Sequence, residues 1–295
     1  MSSLTKRPPP ALRAITPAEK ALFAEDGVVV LRNILNPRWV EHLRSSFDNV
    51  LARPSASAKT LGQAGDKFSF DISMWTFDEG FREFQANGPT PGWASEMLGS
   101  DKVFLIEDAL FAKEPNSSTH TPWHHDQPYL WLNGSQVCSF WIPLDEVTIQ
   151  SGAVEWIPGS HRWGKWFQPP GWQDTNSYAN PSGFEVMPDF ESEREKHRIV
   201  HFDTAPGDVI AHHLLTMHHA PGNSSSNRRR RAVATRYAGE DVTYVERPGR
   251  KPIRNPGLKT GDKIESDLFP RVWPRPTKGL DESVEAVASM PPMTV

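Results

Sequence analysis

The apolar residues of the first hundred positions recur at the spacing of α-helices. After Asn36, apolar side chains repeat every three or four residues, as on one face of a helix: Trp39, Val40, Leu43, Phe47, Val50 and Leu51. An earlier helix begins at a capping box, in which Thr16 is followed three residues later by Glu19. Weaker helical patterns run over residues 79–86 and 93–98, and we predict a helix at each.

From residue 103 onward the pattern changes to short apolar runs bounded by Gly, Pro, Asn and Asp, which is typical of β-strands. We predict strands at residues 28–31, 103–113, 136–143, 154–157, 199–202, 208–211 and 230–237. Residues 53–66 are rich in Ala, Ser and Gly and predict a loop. Helices first and strands afterwards favour a mainly β, α+β fold, in which a jelly-roll or cupin-like double-stranded β-helix carries the N-terminal helices on one sheet.

The same pattern predicts the domain organisation. Residues 1–14 are rich in proline and predict a flexible N-terminal tail. We expect residues 15–295 to form a single domain, because β-barrels of comparable size often do. Within it we expect a helical part at residues 15–100, the jelly-roll core at 101–240 and an irregular C-terminal segment at 241–295.

Composition narrows the class of protein. The net charge of −4 over 295 residues argues against nucleic acid as the main partner. The single cysteine, Cys138, excludes an internal disulfide and fits a reducing compartment. The sequence has no apolar signal core at its start and no apolar run long enough to span a bilayer. We therefore expect a cytoplasmic protein with neither a nucleic-acid nor a membrane partner, and a homodimer is left open.

A histidine and a carboxylate stand two positions apart at His124 and Asp126. On a β-strand, residues two apart lie on the same face of the sheet, so the two side chains would be neighbours. Ten of the eleven histidines lie between His120 and His219, and the segment 207–219 could return beside the first strand with a third ligand. Two histidines and one carboxylate form the facial triad of non-haem Fe(II) oxygenases, which leaves coordination positions open. The spacing therefore indicates a metal site.

A run of four arginines, at residues 228–231, begins ten residues after His218. One of them could enter the barrel and bind the distal carboxylate of a dicarboxylic co-substrate through two hydrogen bonds. The strand periodicity places Arg230 on one face with Ala232 and Ala234, whose small side chains leave room for a ligand. We choose Arg230 on this ground, with Arg229 as the alternative because the opposite face is also plausible.

Several motifs in one order make the chain resemble a known family. Over residues 16–239 it resembles the phytanoyl-CoA dioxygenase-like branch of the Fe(II)/2-oxoglutarate oxygenases. The segments that carry this resemblance are residues 25–31, 123–127, 140–148, 151–153, 157–161, 206–210, 218–223 and 230–232. Their shared order is more specific than any one of them alone.

The resemblance implies a set of site residues. It assigns His124, Asp126 and His218 to the metal, and no catalytic residue beyond these ligands. It also implies Fe(II) as the metal, with O₂ and 2-oxoglutarate as co-substrates and succinate and CO₂ as co-products. Halogenases of this superfamily leave the carboxylate position empty, whereas Asp126 fills it here. The resemblance therefore favours hydroxylation of an unactivated C–H bond over halogenation, with desaturation and ring chemistry left open.

Around the co-substrate, the resemblance assigns Arg230 to the distal carboxylate of 2-oxoglutarate. It also places His125, between the proximal ligands, and the aromatic Trp141 along the co-substrate pocket.

The substrate is expected to be a small, partly apolar molecule, because aromatic residues cluster at several positions: 68–70, 75–77, 163–167 and 172. Two alternatives remain, a cupin-type metalloenzyme that does not use 2-oxoglutarate and a non-catalytic relative that keeps the fold.

Overall fold

The computed structural model describes residues 8–61, 67–170, 184–247, 251–277, 279–291 and 293. The α-helices of this described part are α1 (Pro17–Asp26), α2 (Pro37–Ala52), α3 (Glu79–Asn87), α4 (Thr90–Leu98) and α5 (Asp281–Ser289). The first four confirm the helices that we predict from the apolar spacing. Among the described residues, no helix is both long enough and apolar enough to cross a membrane.

The start of α1 shows why the local sequence is sufficient for this helix. The Thr16 hydroxyl accepts a hydrogen bond from the Glu19 amide at 3.2 Å, and the Glu19 carboxylate accepts one from the Thr16 amide at 2.8 Å. The helix ends at Gly27, whose φ of 70° is readily adopted only by a residue without a side chain. The capping box is therefore formed as predicted.

The strands in the described part of the chain are β1 (Val28–Leu31), β2 (Lys59–Leu61), β3 (Phe68–Ile72), β4 (Val103–Lys113), β5 (Thr121–His124), β6 (Leu132–Asn133), β7 (Val137–Pro143), β8 (Glu155–Trp156), β9 (Val200–His201), β10 (Val209–His213), β11 (His218–Ala220), β12 (Arg230–Ala238), β13 (Thr243–Tyr244) and β14 (Arg271–Trp273). Every predicted strand is present, with its bounds shifted by at most two residues. The remaining strands are mostly two to five residues long, which is too short for a clear apolar periodicity.

The described strands pair antiparallel into two principal sheets. The larger sheet has the order β1-β10-β7-β12-β4-β3-β2, with β14 also pairing with β4. The smaller sheet has the order β5-β11-β8-β9, and β13 and β6 form a separate pair. Two facing antiparallel sheets with helices at one side confirm the predicted jelly-roll fold.

The central strand β7 shows how the layers pack. Phe140 and Ile142 belong to the core cluster that contains Leu43 and Phe47 of α2, so these side chains face the helices. The alternate residue Trp141 belongs to a second cluster, which includes side chains of the smaller sheet. The helices therefore cover one face of the larger sheet, and its other face forms the barrel interior, where the candidate site lies.

Three predictions of irregular structure are wrong in part. Within the predicted tail, the Pro9 carbonyl accepts a hydrogen bond from the Trp39 indole at 2.9 Å, while residues 1–7 lie outside the described residues. Strand β2 lies in the predicted loop 53–66, and β13, β14 and α5 lie in the segment 241–295. Strand β2 pairs with β3, β13 with β6 and β14 with β4, while Asp281 of α5 forms an ion pair with Arg82. Contacts between separate segments such as these leave no pattern in the local sequence. The expectation that residues 15–295 form a single domain stays a prediction.

A buried carboxylate, Asp108 of β4, lies between the larger sheet and the helices. Its side chain accepts a hydrogen bond from the Trp75 amide at 3.1 Å, but burial outweighs this contact and raises the pKa of Asp108 to about 7. A carboxyl group with a raised pKa stabilises the fold fully at acid pH, and this stabilisation is lost as the pH rises toward 7.

We therefore expect Asp108→Asn to raise the melting temperature by several degrees at pH 8, because the amide keeps an acceptor without a buried charge. The gain should shrink toward pH 4. Thermal unfolding of both proteins across this range measures the difference, with Asp101→Asn at an exposed carboxylate as the control. Equal pH dependence of the parent and the Asp108 variant would contradict the expectation.

Candidate metal centre

Two histidines from distant parts of the chain meet in the smaller sheet. His124 ends β5 and is paired in register with His218, the first residue of β11. Both side chains are buried, and their ring centroids lie 4.1 Å apart. The pairing of these two strands therefore brings together the proximal and distal histidines that we predict as ligands.

Backbone carbonyls determine which ring nitrogen of each histidine carries hydrogen. His124 Nδ1 lies 2.8 Å from the Pro122 carbonyl oxygen, and His218 Nδ1 lies 2.9 Å from the Thr216 carbonyl oxygen. A carbonyl can only accept, so each Nδ1 donates and each Nε2 carries the lone pair. This is the arrangement of metal-binding histidines, whose second nitrogen is held by a hydrogen bond.

The third candidate ligand, Asp126, does not lie on a strand. Strand β5 ends at His124, and Asp126 has a helical backbone conformation at the start of the short turn Gln127–Tyr129. The reasoning from strand periodicity was therefore wrong for this residue, since Pro128 favours a turn. The carboxylate nevertheless approaches both histidines, with Oδ1 lying 3.7 Å from His124 Nε2 and 3.9 Å from His218 Nε2.

The three candidate ligands lie close enough together to bind one ion, and their charges suit a metal cation. One ligand atom from each of His124, Asp126 and His218 lies within 4.8 Å of the others. Burial lowers the pKa of His124 and takes the pKa of His218 well below its ordinary value, so both imidazoles are neutral. Burial alone would raise the pKa of Asp126, but Arg236 and His212 more than offset it and hold this pKa well below its usual range. Two neutral imidazoles and one carboxylate suit a divalent transition metal.

Three buried side chains around Asp126 were missed by the sequence reasoning. Arg236 of β12 donates from Nε to Asp126 Oδ2 at 3.0 Å and from Nη1 to Glu107 Oε2 at 3.3 Å. His212 of β10 places Nε2 at 3.4 Å from the same Oδ2. The periodicity of β12 placed residue 236 on the face of Arg230, and this was the available indication that Arg236 points into the barrel.

Arg230 lies inside the barrel, and no carboxylate of the described residues forms an ion pair with it. Its side chain is 2% exposed, its Nη2 donates to the Gly152 carbonyl at 3.0 Å, and its guanidinium carbon lies 5.6 Å from the Trp141 ring centre. Its Nε has no hydrogen-bond partner among the described residues. Burial lowers the pKa of Arg230 to about 10, which still leaves the group charged at neutral pH.

The other arginines of the run face outward to carboxylates. Arg228 pairs with Glu146, Arg229 with Glu114 and Arg231 with both Asp145 and Asp48, at N–O distances of 2.8 to 3.0 Å. Among these four described arginines, Arg230 is the one aimed into the barrel. The geometry therefore favours Arg230 over Arg229.

A comparison with protein-family models decides the family. Residues 23–232 match the model described as phytanoyl-CoA dioxygenase (PhyH). The chain belongs to this family. The resemblance seen in the ordered motifs is thereby confirmed.

Relatives of this PhyH family member are distant in sequence. Phytanoyl-CoA dioxygenase domain-containing protein 1 of Bos taurus is 20% identical over an alignment of 202 residues, and the match covers 52% of this chain and 68% of that protein. Dioxygenase olcK of Penicillium canescens is 20% identical over an alignment of 227 residues, and the match covers 72% of this chain and 67% of that protein. The matched region thus spans about two thirds of the length of each relative.

Solved structures share the fold of this PhyH family member. The carbocyclase SnoK from nogalamycin biosynthesis superposes with a TM-score of 0.71 at 24% identity, covering 89% of this chain and 98% of that one. The epimerase SnoN in complex with Fe³⁺, alpha ketoglutarate and nogalamycin RO gives 0.67 at 18% identity, covering 86% and 97%. EctD from S. alaskensis with 2-oxoglutarate and 5-hydroxyectoine gives 0.61 at 23% identity, covering 86% of each chain. These similarities establish the fold.

Two other histidines of this PhyH family member, His125 and His219, form hydrogen bonds with groups other than the candidate ligands. His125 Nε2 accepts a hydrogen bond from the Phe167 amide at 3.0 Å, and burial lowers the pKa of His125 to about 4. His219 Nε2 lies 2.6 Å from Glu155 Oε2. The predicted contact of His125 with 2-oxoglutarate has no support in these contacts and stays a prediction, whereas Trp141 does lie beside Arg230.

The aromatic clusters divide between core and surface. Trp75 is buried in the core beside the helices, and Phe77 is exposed. Phe167 packs with Trp123 in a small cluster beside the candidate site, and Trp163 stacks on the neighbouring Phe190. Residue 172 lies outside the described residues. The cluster at 163–167 can therefore contribute to an apolar rim.

Proposed function

We propose that this protein is an Fe(II)- and 2-oxoglutarate-dependent dioxygenase that hydroxylates an unactivated C–H bond of a small, partly apolar substrate. The observation that carries the proposal is Arg230, a buried guanidinium that pairs with no carboxylate in the part of the chain that the structure describes. It lies in the barrel that also holds His124, Asp126 and His218. A buried charge of this kind requires a counter-charge, and a dicarboxylic acid would supply one.

The described residues fit this metal and this co-substrate. The two imidazoles would offer Nε2 and Asp126 would offer Oδ1, since these atoms already converge. Iron with bound 2-oxoglutarate supplies the oxidising chemistry, in which O₂ is consumed, succinate and CO₂ are released and a C–H bond of the substrate is oxidised. The protein binds and orients the reactants and excludes water.

Arg230 would orient the co-substrate. A guanidinium can make two parallel hydrogen bonds to a carboxylate, which fixes both the position and the direction of the bound acid. The surrounding side chains are small or apolar, including Ala232, Ala234 and Ile210 of the second core cluster. In such a desolvated site an ionic hydrogen bond is stronger than in water. The same residues would keep bulk water away from the reacting atoms.

The proposed reaction type rests on Asp126 and on the related structures. Asp126 fills the carboxylate position that halogenases of this superfamily leave empty, which supports hydroxylation over halogenation. The EctD structure contains 5-hydroxyectoine with 2-oxoglutarate, which supports hydroxylation, and the structures named carbocyclase and epimerase share the same fold. We therefore propose hydroxylation of a small molecule as the reaction.

Two alternatives are less well supported. A cupin-type metalloenzyme that does not use 2-oxoglutarate would have no need of Arg230 buried without a carboxylate. A non-catalytic relative would be expected to lose a metal ligand, but all three candidate ligands are present and converge.

Anaerobic titration with Fe(II) and 2-oxoglutarate tests the proposal directly. We expect the weak visible charge-transfer band of the chelate to appear only when the protein, Fe(II) and 2-oxoglutarate are all present. Succinate in place of 2-oxoglutarate is the matched control, because it lacks the keto group and should give no band. Fe(II) binding without a band at saturating 2-oxoglutarate would refute the co-substrate and favour the cupin-type alternative.

A further inference from the structure

Two side chains of the larger sheet, Arg236 and His212, hold the carboxylate of Asp126, whereas the candidate ligands His124 and His218 belong to the smaller sheet. Arg236 donates to Oδ2 from Nε at 3.0 Å and to Oδ1 from Nη2 at 3.4 Å. His212 Nε2 also lies 3.4 Å from Oδ2. Oδ1 is the oxygen that approaches the two candidate histidine ligands, at 3.7 and 3.9 Å. The two oxygens therefore have different surroundings.

The two groups that contact Oδ2, His212 and Arg236, belong to one row of residues across four paired strands. His212 of β10 is in register with Ser139 of β7, Ser139 with Arg236 of β12, and Arg236 with Glu107 of β4. Directly opposite residues share one face of a sheet, so all four side chains project into the barrel. Hydrogen-bonded strand pairing fixes the positions of these four residues, whereas Asp126 lies at the start of a turn and has no strand partner to fix it.

Glu107 completes the row by holding the far end of the arginine. Glu107 is fully enclosed and accepts from Arg236 Nη1 at 3.3 Å, while Nε and Nη2 point to Asp126. A guanidinium is planar and offers its donors in fixed directions, so two carboxylates at two of its edges leave it little freedom to rotate. Strands β4 and β12 therefore fix the orientation of Arg236, and Arg236 in turn fixes the orientation of the Asp126 carboxylate.

We propose that Arg236 is a positioning residue of the metal centre. Held by Glu107, it turns one oxygen of Asp126 toward the histidines and the other away from them. The carboxylate would then bind the metal through a single oxygen, and coordination positions would stay open for the co-substrate and O₂. This role rests on the proposed metal centre and extends it to a residue that does not itself bind the metal.

The test uses the conservative variant Arg236→Lys, which keeps the positive charge but loses the fork. Mn(II) affinity is measured by electron paramagnetic resonance, without 2-oxoglutarate, and the absorption spectrum of the Co(II)-loaded protein reports coordination geometry. We expect Mn(II) to bind about 10- to 100-fold more weakly, the usual effect of losing an outer partner of a metal ligand. The Co(II) spectrum should change as well.

Arg231→Lys is the matched control. Arg231 also contacts two carboxylates, Asp145 and Asp48, but it lies outside the metal centre. Its variant should bind Mn(II) like the parent and give the parent Co(II) spectrum. The melting temperature of each metal-free variant shows whether it is folded. Should Arg236→Lys not fold, Glu107→Gln is used instead, because it frees the arginine while leaving its charge, and a weaker Mn(II) affinity is again expected.

The outcomes separate this inference from the proposed function. If the parent protein binds Mn(II) and folded Arg236→Lys binds it within threefold with an unchanged Co(II) spectrum, the positioning role is refuted while the metal centre stands. The same result for Glu107→Gln, where that variant replaces it, has the same meaning. If the parent binds neither Mn(II) nor Co(II), the metal centre and the positioning role are both refuted.

Discussion

Replacing His218 by Ala is expected to abolish Fe(II)-dependent turnover of 2-oxoglutarate, whereas replacing its neighbour His219 should leave most of it. His218 Nε2 converges with Asp126 on the candidate metal position, and His219 points the other way, to Glu155. Loss of a direct ligand should lower turnover by more than the roughly 10- to 100-fold that follows loss of an outer partner. Succinate formation measured at saturating Fe(II) gives the comparison.

His218 and His219 are consecutive residues of β11, so each variant serves as a control for the other. Both substitutions remove a buried imidazole from the same strand, so a general effect on folding would appear in both variants. Full activity of the His218 variant would refute the assignment of the three metal ligands. Loss of activity in the His219 variant alone would mean that the distal ligand had been assigned one residue too early.

Replacing Arg230 by Ala is expected to weaken 2-oxoglutarate binding strongly. Removing one partner of a buried, hydrogen-bonded charge pair costs roughly 2–5 kcal/mol, most of it because the other charge is left unpaired. At about 1.4 kcal/mol for each tenfold change, the affinity should fall on the order of 30-fold or more. Arg230→Lys should recover only part of this loss, because an ammonium group cannot make the paired hydrogen bonds.

The neighbouring arginines provide the controls. Arg228 and Arg229 form exposed pairs with Glu146 and Glu114, with 57% and 45% of the arginine side chains exposed. Exposed ion pairs contribute little, so Ala at either position should change the apparent 2-oxoglutarate constant by less than about threefold. Equal constants across all three variants would refute the assignment of the co-substrate, and a peak at Arg229 would shift the co-substrate contact by one residue.

The sequence was sufficient where local chemistry determines structure. The capping box at Thr16 and Glu19 forms because both partners lie within one helical turn. The choice of Arg230 rested on the small side chains of Ala232 and Ala234 on its face of the nine-residue strand β12, while the alternation alone left Arg229 open. The candidate metal ligands His124 and His218 lie far apart in the chain, and the ordered set of motifs assigned them together; this assignment stays a prediction.

The remainder depends on contacts that leave no pattern in the sequence. Asp126 was expected on a strand, but the strand ends at His124 and the carboxylate approaches the histidines from a turn. The contacts of Arg236 with Asp126 and Glu107 depend on which strands are neighbours in the larger sheet. Strand order is a property of the assembled sheets, and residues that meet across them cannot be paired from spacing alone.

The placement of the two histidines on short strands has a consequence for the stability of the whole protein. Strand β5 has four residues and β11 has three, and so small a sheet has little stability of its own. An ion held by one histidine from each strand would join them as a cross-link. Because the unfolded chain does not assemble this pair, metal binding would add to folding stability in proportion to the logarithm of the free metal concentration. Iron supply would then affect the fraction of molecules that are folded as well as the rate of turnover.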